Sequence, residues 1–143
     1  MTANTLVAAL LGTDLTVVVP TRNEAGNIAP LVARLDAALE GVTAEVIFVD
    51  DSDDDTPARI REVARTSDHP VRVVHRGPDE RAGGLGSAVL AGFHAATTQW
   101  AVVMDGDLQH PPELVPQLVG EGCARNSDVV VASRYVGTGD SSG

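Results

Sequence analysis

The stretch of sequence that decides the fold reads Gln-Trp-Ala-Val-Val-Met-Asp-Gly-Asp-Leu-Gln-His-Pro-Pro-Glu-Leu at positions 99–114. Its apolar, β-branched run at 100–104 has the length of a buried β-strand and stops abruptly at Asp105. If the backbone stays extended through Gly106, the two-residue period of a strand directs Asp105 and Asp107 to the same side. The stretch therefore predicts a strand that delivers two carboxylates to its carboxyl end.

Two carboxylates placed in this way suit a divalent cation that carries substrate phosphates. Mg²⁺ or Mn²⁺ fits best, because Mg²⁺ usually takes one or two protein carboxylates and fills its other positions with phosphate oxygens or water. The open alternative is a polar turn that binds nothing, since Asp and Gly are common turn residues. The rest of the chain must decide between the two.

Composition limits the classes of protein to consider. The chain has 143 residues, a net charge of −10 and 43% hydrophobic residues, which predicts one folded domain that nucleic acid repels. All ten basic residues are Arg, so any mechanism that needs a lysine is excluded. The single thiol, Cys123, cannot form an internal disulfide, which favours a reducing, cytoplasmic compartment. We expect an N-terminal extension at 1–13, a domain at 14–136 and a flexible tail at 137–143.

Apolar runs alternate with helical patterns along the domain. Strands are predicted at 15–19, 46–49, 71–74, 100–104 and 129–132, each apolar throughout. Helices are predicted after Asn27 as a cap, at 57–65 after Thr56 as a cap, at 87–96, and from 110 onward with Leu114 in its apolar face. Such alternation predicts an α/β fold of the doubly wound type, with a mostly parallel sheet covered by helices on both faces.

Residues capable of chemistry cluster after the carboxyl ends of the predicted strands, where doubly wound sheets bind their ligands. They are Thr21 and Glu24 after the first strand, Asp50 and Asp51 after the second, His75 after the third, Asp105 and Asp107 after the fourth, and Arg134 after the fifth. Clustered carboxylates repel one another unless they are solvated or bound to a cation. This placement favours the cation site over the empty turn.

Five segments together resemble the family 2 glycosyltransferases, and most closely the dolichol-phosphate or polyprenol-phosphate mannosyltransferase branch. They are Val-Val-Val-Pro-Thr-Arg-Asn-Glu at 17–24, Val-Ile-Phe-Val-Asp-Asp-Ser-Asp-Asp-Asp-Thr at 46–56, Gly-Leu-Gly-Ser-Ala at 84–88, Met-Asp-Gly-Asp-Leu-Gln-His-Pro-Pro-Glu at 104–113 and Ala-Ser-Arg-Tyr at 132–135. The resemblance implies a GT-A fold, with a Rossmann-like half that binds a nucleotide sugar.

The resemblance also implies roles for particular residues. It assigns nucleotide binding to Pro20, Thr21, Glu24, Asp50, Asp51 and, more weakly, Arg81; metal binding on the sugar-nucleotide pyrophosphate to Asp105, Asp107 and Gln109; and a phosphate-side cation to Arg134. Catalysis would then rest on Asp107 and Arg134. The implied reaction transfers a sugar, with inversion, from GDP-mannose or a UDP-sugar to a polyprenyl phosphate at the inner face of the membrane. Family members continue beyond the position of Arg134 with an acceptor-binding segment, so a nucleotide-sugar binder without transfer activity stays open.

Other classes of site fit the sequence less well. Asp51, Asp53, Asp55 and Glu62 match an EF-hand spacing, but Thr56 stands where the calcium loop needs Gly and a strand precedes it. The alternative is a solvated acidic start of a helix. The glycines at 84–86 lack the third Gly of a dinucleotide fingerprint. A phosphorylation-receiver domain would share the α/β fold, but it uses a lysine that this chain lacks.

Overall fold

A computed structural model describes residues 14–108, 111–117 and 119, together with the backbone of 129–131. The strands are β1 (Leu15–Thr21), β2 (Ala44–Asp50), β3 (Val71–His75), β4 (Trp100–Val103) and β5 (Val129–Val131), and the helices are α1 (Ala25–Ala38), α2 (Thr56–Ala64) and α3 (Gly84–Ala95). Short 3₁₀ turns span Pro78–Glu80 and Pro112–Leu114. All five predicted strands are confirmed. The extension at 1–13, Cys123 and the tail at 137–143 lie outside the described residues.

The five strands form one parallel sheet in the order β3-β2-β1-β4-β5. The chain runs outward from β1 to β3 and then crosses back to β4 on the other side of β1. This reversal is the topological switch point at which open α/β sheets bind ligands. The predicted doubly wound α/β fold is therefore confirmed, and the switch point lies between β1 and β4.

Side chains of the central strands alternate between two apolar layers because successive residues of a strand point to opposite faces. Val17, Val19 and Phe48 pack with α1 and α2 in the larger layer. Val18 and Ile47 pack under α3 in the smaller one. A Cβ at Gly92 of α3 would collide with Val18, so this glycine sets how closely α3 lies on the sheet. Both faces are covered, which explains why the strands are apolar throughout.

Several predicted helix boundaries were wrong. Helix α1 begins at Ala25, with Glu24 and not the expected Asn27 as its cap residue. Thr56 is the first residue of α2 and Asp55 precedes it as the cap. Helix α3 begins at Gly84, so Gly84 and Gly86 belong to its first turn and not to a loop before the helix. Leu114, expected in an apolar face, is 42% exposed.

Within the described ranges, no helix combines the length and the apolar character that crossing a bilayer requires.

Candidate functional site

A cleft of about 390 Å³ opens at the carboxyl ends of β1, β2 and β4, at the switch point of the sheet. Parallel pairing brings these ends level: Thr21 pairs with Asp50, and Val18 pairs with Val103. The cleft is lined by Pro20, Thr21, Arg22 and Glu24 after β1, by Asp51 after β2, by Gly84, Leu85 and Ala88 of α3, and by Asp105, Gly106 and Asp107 after β4. Six of the predicted site residues therefore meet in one place.

Asp50 organises the loops beneath the cleft. Its side chain is fully buried, and its Oδ1 accepts hydrogen bonds from the hydroxyls of Thr21 (2.7 Å) and Ser52 (2.6 Å). Its Oδ2 accepts the Ser52 N–H and lies 2.9 Å from Nδ1 of His75. A buried carboxylate is stable only when its oxygens are paired in this way. Asp50 thus ties together the ends of β1, β2 and β3.

Two residues that the resemblance assigned to nucleotide binding do not line the cleft. Asp50 is 0% exposed, and both of its carboxylate oxygens accept hydrogen bonds or lie beside His75. The guanidinium of Arg81 donates to the carbonyl oxygens of Arg76 and Ser52 and to Asp53, so it holds the loop after β2 in place. Their roles in nucleotide binding stay predictions.

The loop after β1 is held in a strained turn that aims Glu24 into the cleft. Asn23 has φ 53°, a left-handed conformation that non-glycine residues seldom adopt. Ser52 accepts the Asn23 N–H at 2.7 Å, and the Asn23 side chain accepts the Asp53 N–H at 3.0 Å. The Glu24 N–H donates to the hydroxyl of Thr56 at 3.1 Å. These bonds from the neighbouring loop compensate for the strain.

The Asp-Gly-Asp turn requires its central glycine. A Cβ on Gly106 would lie 2.8 Å from both Glu24 Oε2 and Thr21 Cγ2. Leu108, which follows the turn, has φ 64° and packs its side chain on the larger apolar layer. The turn is therefore pressed against the loop after β1 on one side and anchored in the core on the other.

Glu24 carries the most informative polar atom of the cleft. Its Oε1 accepts the Arg22 N–H at 3.4 Å, whereas its Oε2 is buried and has no hydrogen-bond partner among the residues that the structure describes. Burial raises the pKa of Glu24; the Arg22 N–H opposes this, and the charges of Asp107 and Asp105 raise it further. A buried carboxyl oxygen without a partner costs free energy, which a bound cation or donor group would recover.

The cleft offers hard oxygen atoms of the kind that magnesium-type cations prefer. Asp105 and Asp107 line it, and Glu24 Oε2 lies against Gly106 between them. In the described part of the chain, no group of three His, Cys, Asp or Glu residues is placed to hold a cation by itself. Gln109, the third predicted ligand, lies outside the described residues, as does Arg134.

Asp51 faces the opposite end of the cleft and is ion-paired. Arg76 donates from Nε to Oδ1 at 2.8 Å and from Nη2 to Oδ2 at 2.6 Å, and the Arg76 side chain is only 7% exposed. Sequence analysis did not single out Arg76. Its signal was an arginine directly after β3, at the strand end next to the acidic pair of β2.

The calcium-loop alternative does not survive the structure. Asp51 is paired with Arg76, and Asp53 is paired with Arg81 at 2.9 Å. Asp53, Asp54 and Asp55 are exposed, and Asp54 accepts the Thr56 N–H at 2.9 Å at the start of α2. The cluster is the solvated acidic helix start that was the other interpretation.

A second groove, of about 370 Å³, lies between α1 and α2 and away from the strand ends. Its polar side chains pair among themselves: Arg59 with Glu62, and Asp36 with Ser67 and His69. The cleft is therefore the candidate functional site, because the left-handed backbone at Asn23 and a buried carboxyl oxygen with no partner among the described residues coincide there.

Comparison with known proteins places this geometry in a family. The family model "Glycosyl transferase family 2" matches residues 16–143. The chain is 44% identical over 124 residues to a dolichol-phosphate mannosyltransferase of Pyrococcus furiosus, covering 85% of the chain and 33% of that protein. It is 44% identical over 108 residues to the dolichol-phosphate mannosyltransferase of Saccharomyces cerevisiae, covering 73% and 39%. The chain thus spans little more than a third of these relatives.

A solved structure gives the same fold. Glucosyl-3-phosphoglycerate synthase of Mycobacterium tuberculosis, crystallised with Mn²⁺, UDP and glucosyl-3-phosphoglycerate, superposes with a TM-score of 0.65 at 29% identity, covering 84% of the chain and 43% of that protein. The fold is accordingly of the GT-A type. The match excludes the receiver-domain alternative, because receivers are a different family. The chain belongs to glycosyl transferase family 2.

Proposed function

We propose that this chain is the nucleotide-sugar-binding part of a polyprenyl-phosphate glycosyltransferase, with GDP-mannose as the donor. The observation that carries the proposal is the unpartnered Oε2 of Glu24 against the Asp-Gly-Asp turn at the switch point. The names of the two similar mannosyltransferases support the choice of mannose and of a lipid-phosphate acceptor. UDP-sugars stay open as donors, because carboxylate contacts do not distinguish the bases.

In this proposal the two ends of the cleft divide the donor between them. Asp105 and Asp107 would hold Mg²⁺ or Mn²⁺ on the pyrophosphate, with Gln109 as a further ligand. Such an ion supplies charge stabilisation for the departing nucleoside diphosphate. Asp51 would bind the nucleoside, with Pro20, Thr21 and Glu24 along the same side of the cleft. Arg134 would add a fixed positive charge near the phosphates.

The acceptor would be an ionised lipid phosphate. A phosphate monoester has a second pKa of about 6, so the phosphate is largely doubly ionised at neutral pH. Its attacking oxygen therefore needs no dedicated general base. Attack on the anomeric carbon from the side opposite the nucleotide would invert its configuration. The protein's part is to hold donor and acceptor in line and to stabilise the leaving group.

Calorimetry with GDP-mannose and UDP-glucose, each with and without Mn²⁺, tests the proposal. We expect Mn²⁺-dependent binding of GDP-mannose to the wild-type chain and its loss in Asp107→Ala. Asp14→Ala is the matched control, because Asp14 is an exposed aspartate just before β1, at the amino-terminal ends of the strands. This variant should bind GDP-mannose normally. No binding of either donor by a folded wild-type chain would contradict the proposal.

A transfer assay with a polyprenyl phosphate in detergent separates the two functional alternatives. Transfer of mannose to the lipid would support the enzyme. Binding of the donor without transfer would support the alternative of a nucleotide-sugar binder that is inactive by itself.

A further inference from the structure

Arg76 joins the two walls at the end of the cleft that holds Asp51. Besides its paired bonds to Asp51, its Nη1 donates to the Ser87 hydroxyl at 2.8 Å and its Nη2 to the Gly84 carbonyl at 3.3 Å. Gly84 lines the cleft in the first turn of α3, as does Leu85. One buried guanidinium thus fixes the loop after β2 to the start of α3.

The start of α3 has no capping bond from its own cap residue, so this fixation matters. Gly83 and Gly84 have φ 91° and 58°, and no side chain at the cap position bonds the first turn. The Ser87 hydroxyl bonds the Gly84 carbonyl within the first turn at 3.1 Å, and the two bonds from Arg76 to this hydroxyl and this carbonyl tie the turn to the rest of the protein. Loss of Arg76 would free both the carboxylate of Asp51 and the wall that faces it.

Arg76 also places a positive charge beside Asp51. Its two hydrogen bonds with the Asp51 carboxylate raise the pKa of Arg76, so the guanidinium stays charged.

We infer that Arg76 is a positioning residue: it orients Asp51 and the start of α3 to receive the nucleoside. The inference rests on the proposed function, in which Asp51 binds the nucleoside. Arg76 itself does not line the cleft. Its effect on a ligand would pass through Asp51, Gly84 and Ser87.

The test compares ligands that occupy different ends of the cleft. Binding of GDP, UDP and inorganic pyrophosphate, each with Mn²⁺, is measured by calorimetry for the wild-type chain, Arg76→Gln, Arg76→Lys and Ser87→Ala. Arg72→Gln is the matched control, because Arg72 lies in β3, just before Arg76 in the chain, but pairs with Glu45 at 2.9 Å. Circular dichroism establishes that each variant is folded.

The wild type should bind one of the two nucleoside diphosphates, and we expect Arg76→Gln to lower the affinity for it by about tenfold or more. Loss of a group that orients a binding carboxylate typically has an effect of this size. Pyrophosphate with Mn²⁺ should bind as in the wild type. Arg76→Lys keeps the charge without the paired geometry and should lie between the two. Ser87→Ala should lower the affinity for the nucleotide slightly. This variant tests the inference if Arg76→Gln does not fold.

Three results would overturn the inference. The first is nucleotide binding unchanged in Arg76→Gln, Arg76→Lys and Ser87→Ala. The second is an equal loss of affinity for nucleotide and for pyrophosphate in Arg76→Gln, which would make Arg76 a general stabiliser of the fold. The third is an equal loss of nucleotide affinity in Arg72→Gln. A wild-type chain that binds neither GDP nor UDP would instead overturn the proposed function.

Discussion

The strands β2 and β4 each end in an acidic pair, and the surroundings of the two pairs differ. Asp50 and Asp51 at the end of β2 are held by hydroxyls, an N–H and His75 around Asp50, and by a buried arginine on Asp51. Asp105 and Asp107 after β4 line the cleft beside Glu24, whose buried Oε2 has no hydrogen-bond partner among the described residues.

The comparison separates two uses of a carboxylate at a strand end. A carboxylate that the protein itself satisfies can orient loops, and its removal should cost stability. A carboxylate that lines the cleft is placed to contact a ligand, and its removal should cost ligand binding.

The largest expected effect is on folding, in Asp50→Ala. This change leaves the donors around the buried carboxylate unpaired and should lower the free energy of unfolding by about 3 kcal/mol or more. Urea denaturation followed by circular dichroism measures it. A loss below about 1 kcal/mol, the range of exposed ion pairs, would show that the loops do not depend on Asp50.

Gly106→Ala should damage both fold and site. The new Cβ would press on Glu24 and Thr21, and overpacking of this kind costs about 1–3 kcal/mol. We also expect Mn²⁺-dependent donor binding to be lost, because the turn must move away from Glu24. Gly26→Ala is the control, since a Cβ there meets nothing within 4 Å. Normal donor binding by Gly106→Ala would contradict the close approach.

Glu24→Gln should change the pH dependence of stability. Because the folded-state pKa of Glu24 is raised, its contribution to stability is present below its ordinary pKa of 4.5 and is lost as pH rises through the folded value. The variant removes that loss, so its urea midpoint should exceed that of the wild type at pH 7 and match it at pH 4. Glu40→Gln, an exposed site, controls for the change in charge. Equal midpoints of Glu24→Gln and wild type at pH 7 would contradict the raised pKa.

The smallest effect is expected in Asp53→Ala. Its ion pair with Arg81 is exposed on the aspartate side, at 63%, so its loss should cost less than about 1 kcal/mol. Donor binding should stay normal, because Asp53 does not line the cleft. A large loss of donor affinity in this variant would mean that Arg81 takes part in binding, as the sequence resemblance implied.

Much of the site was predictable because a parallel sheet brings the carboxyl ends of all its strands to the same side of the domain. The alternation of apolar strands and helices was enough to predict the sheet, and the positions of Thr21, Glu24, Asp51, Asp105 and Asp107 followed. The close approach of the Glu24 carboxylate to Gly106 of the Asp-Gly-Asp turn was not foreseen.

The sequence by itself determined the order of elements, the placement of the candidate site residues at the carboxyl ends of the strands, and the residue types found there. Only the tertiary structure decided which carboxylate is buried, which is paired and which lacks a partner. Asp50 and Asp51 are identical neighbours in the sequence, but successive side chains point in opposite directions, so one enters the interior and the other meets Arg76. The pairing of Asp51 with Arg76 spans 25 positions of sequence, and no local pattern encodes it.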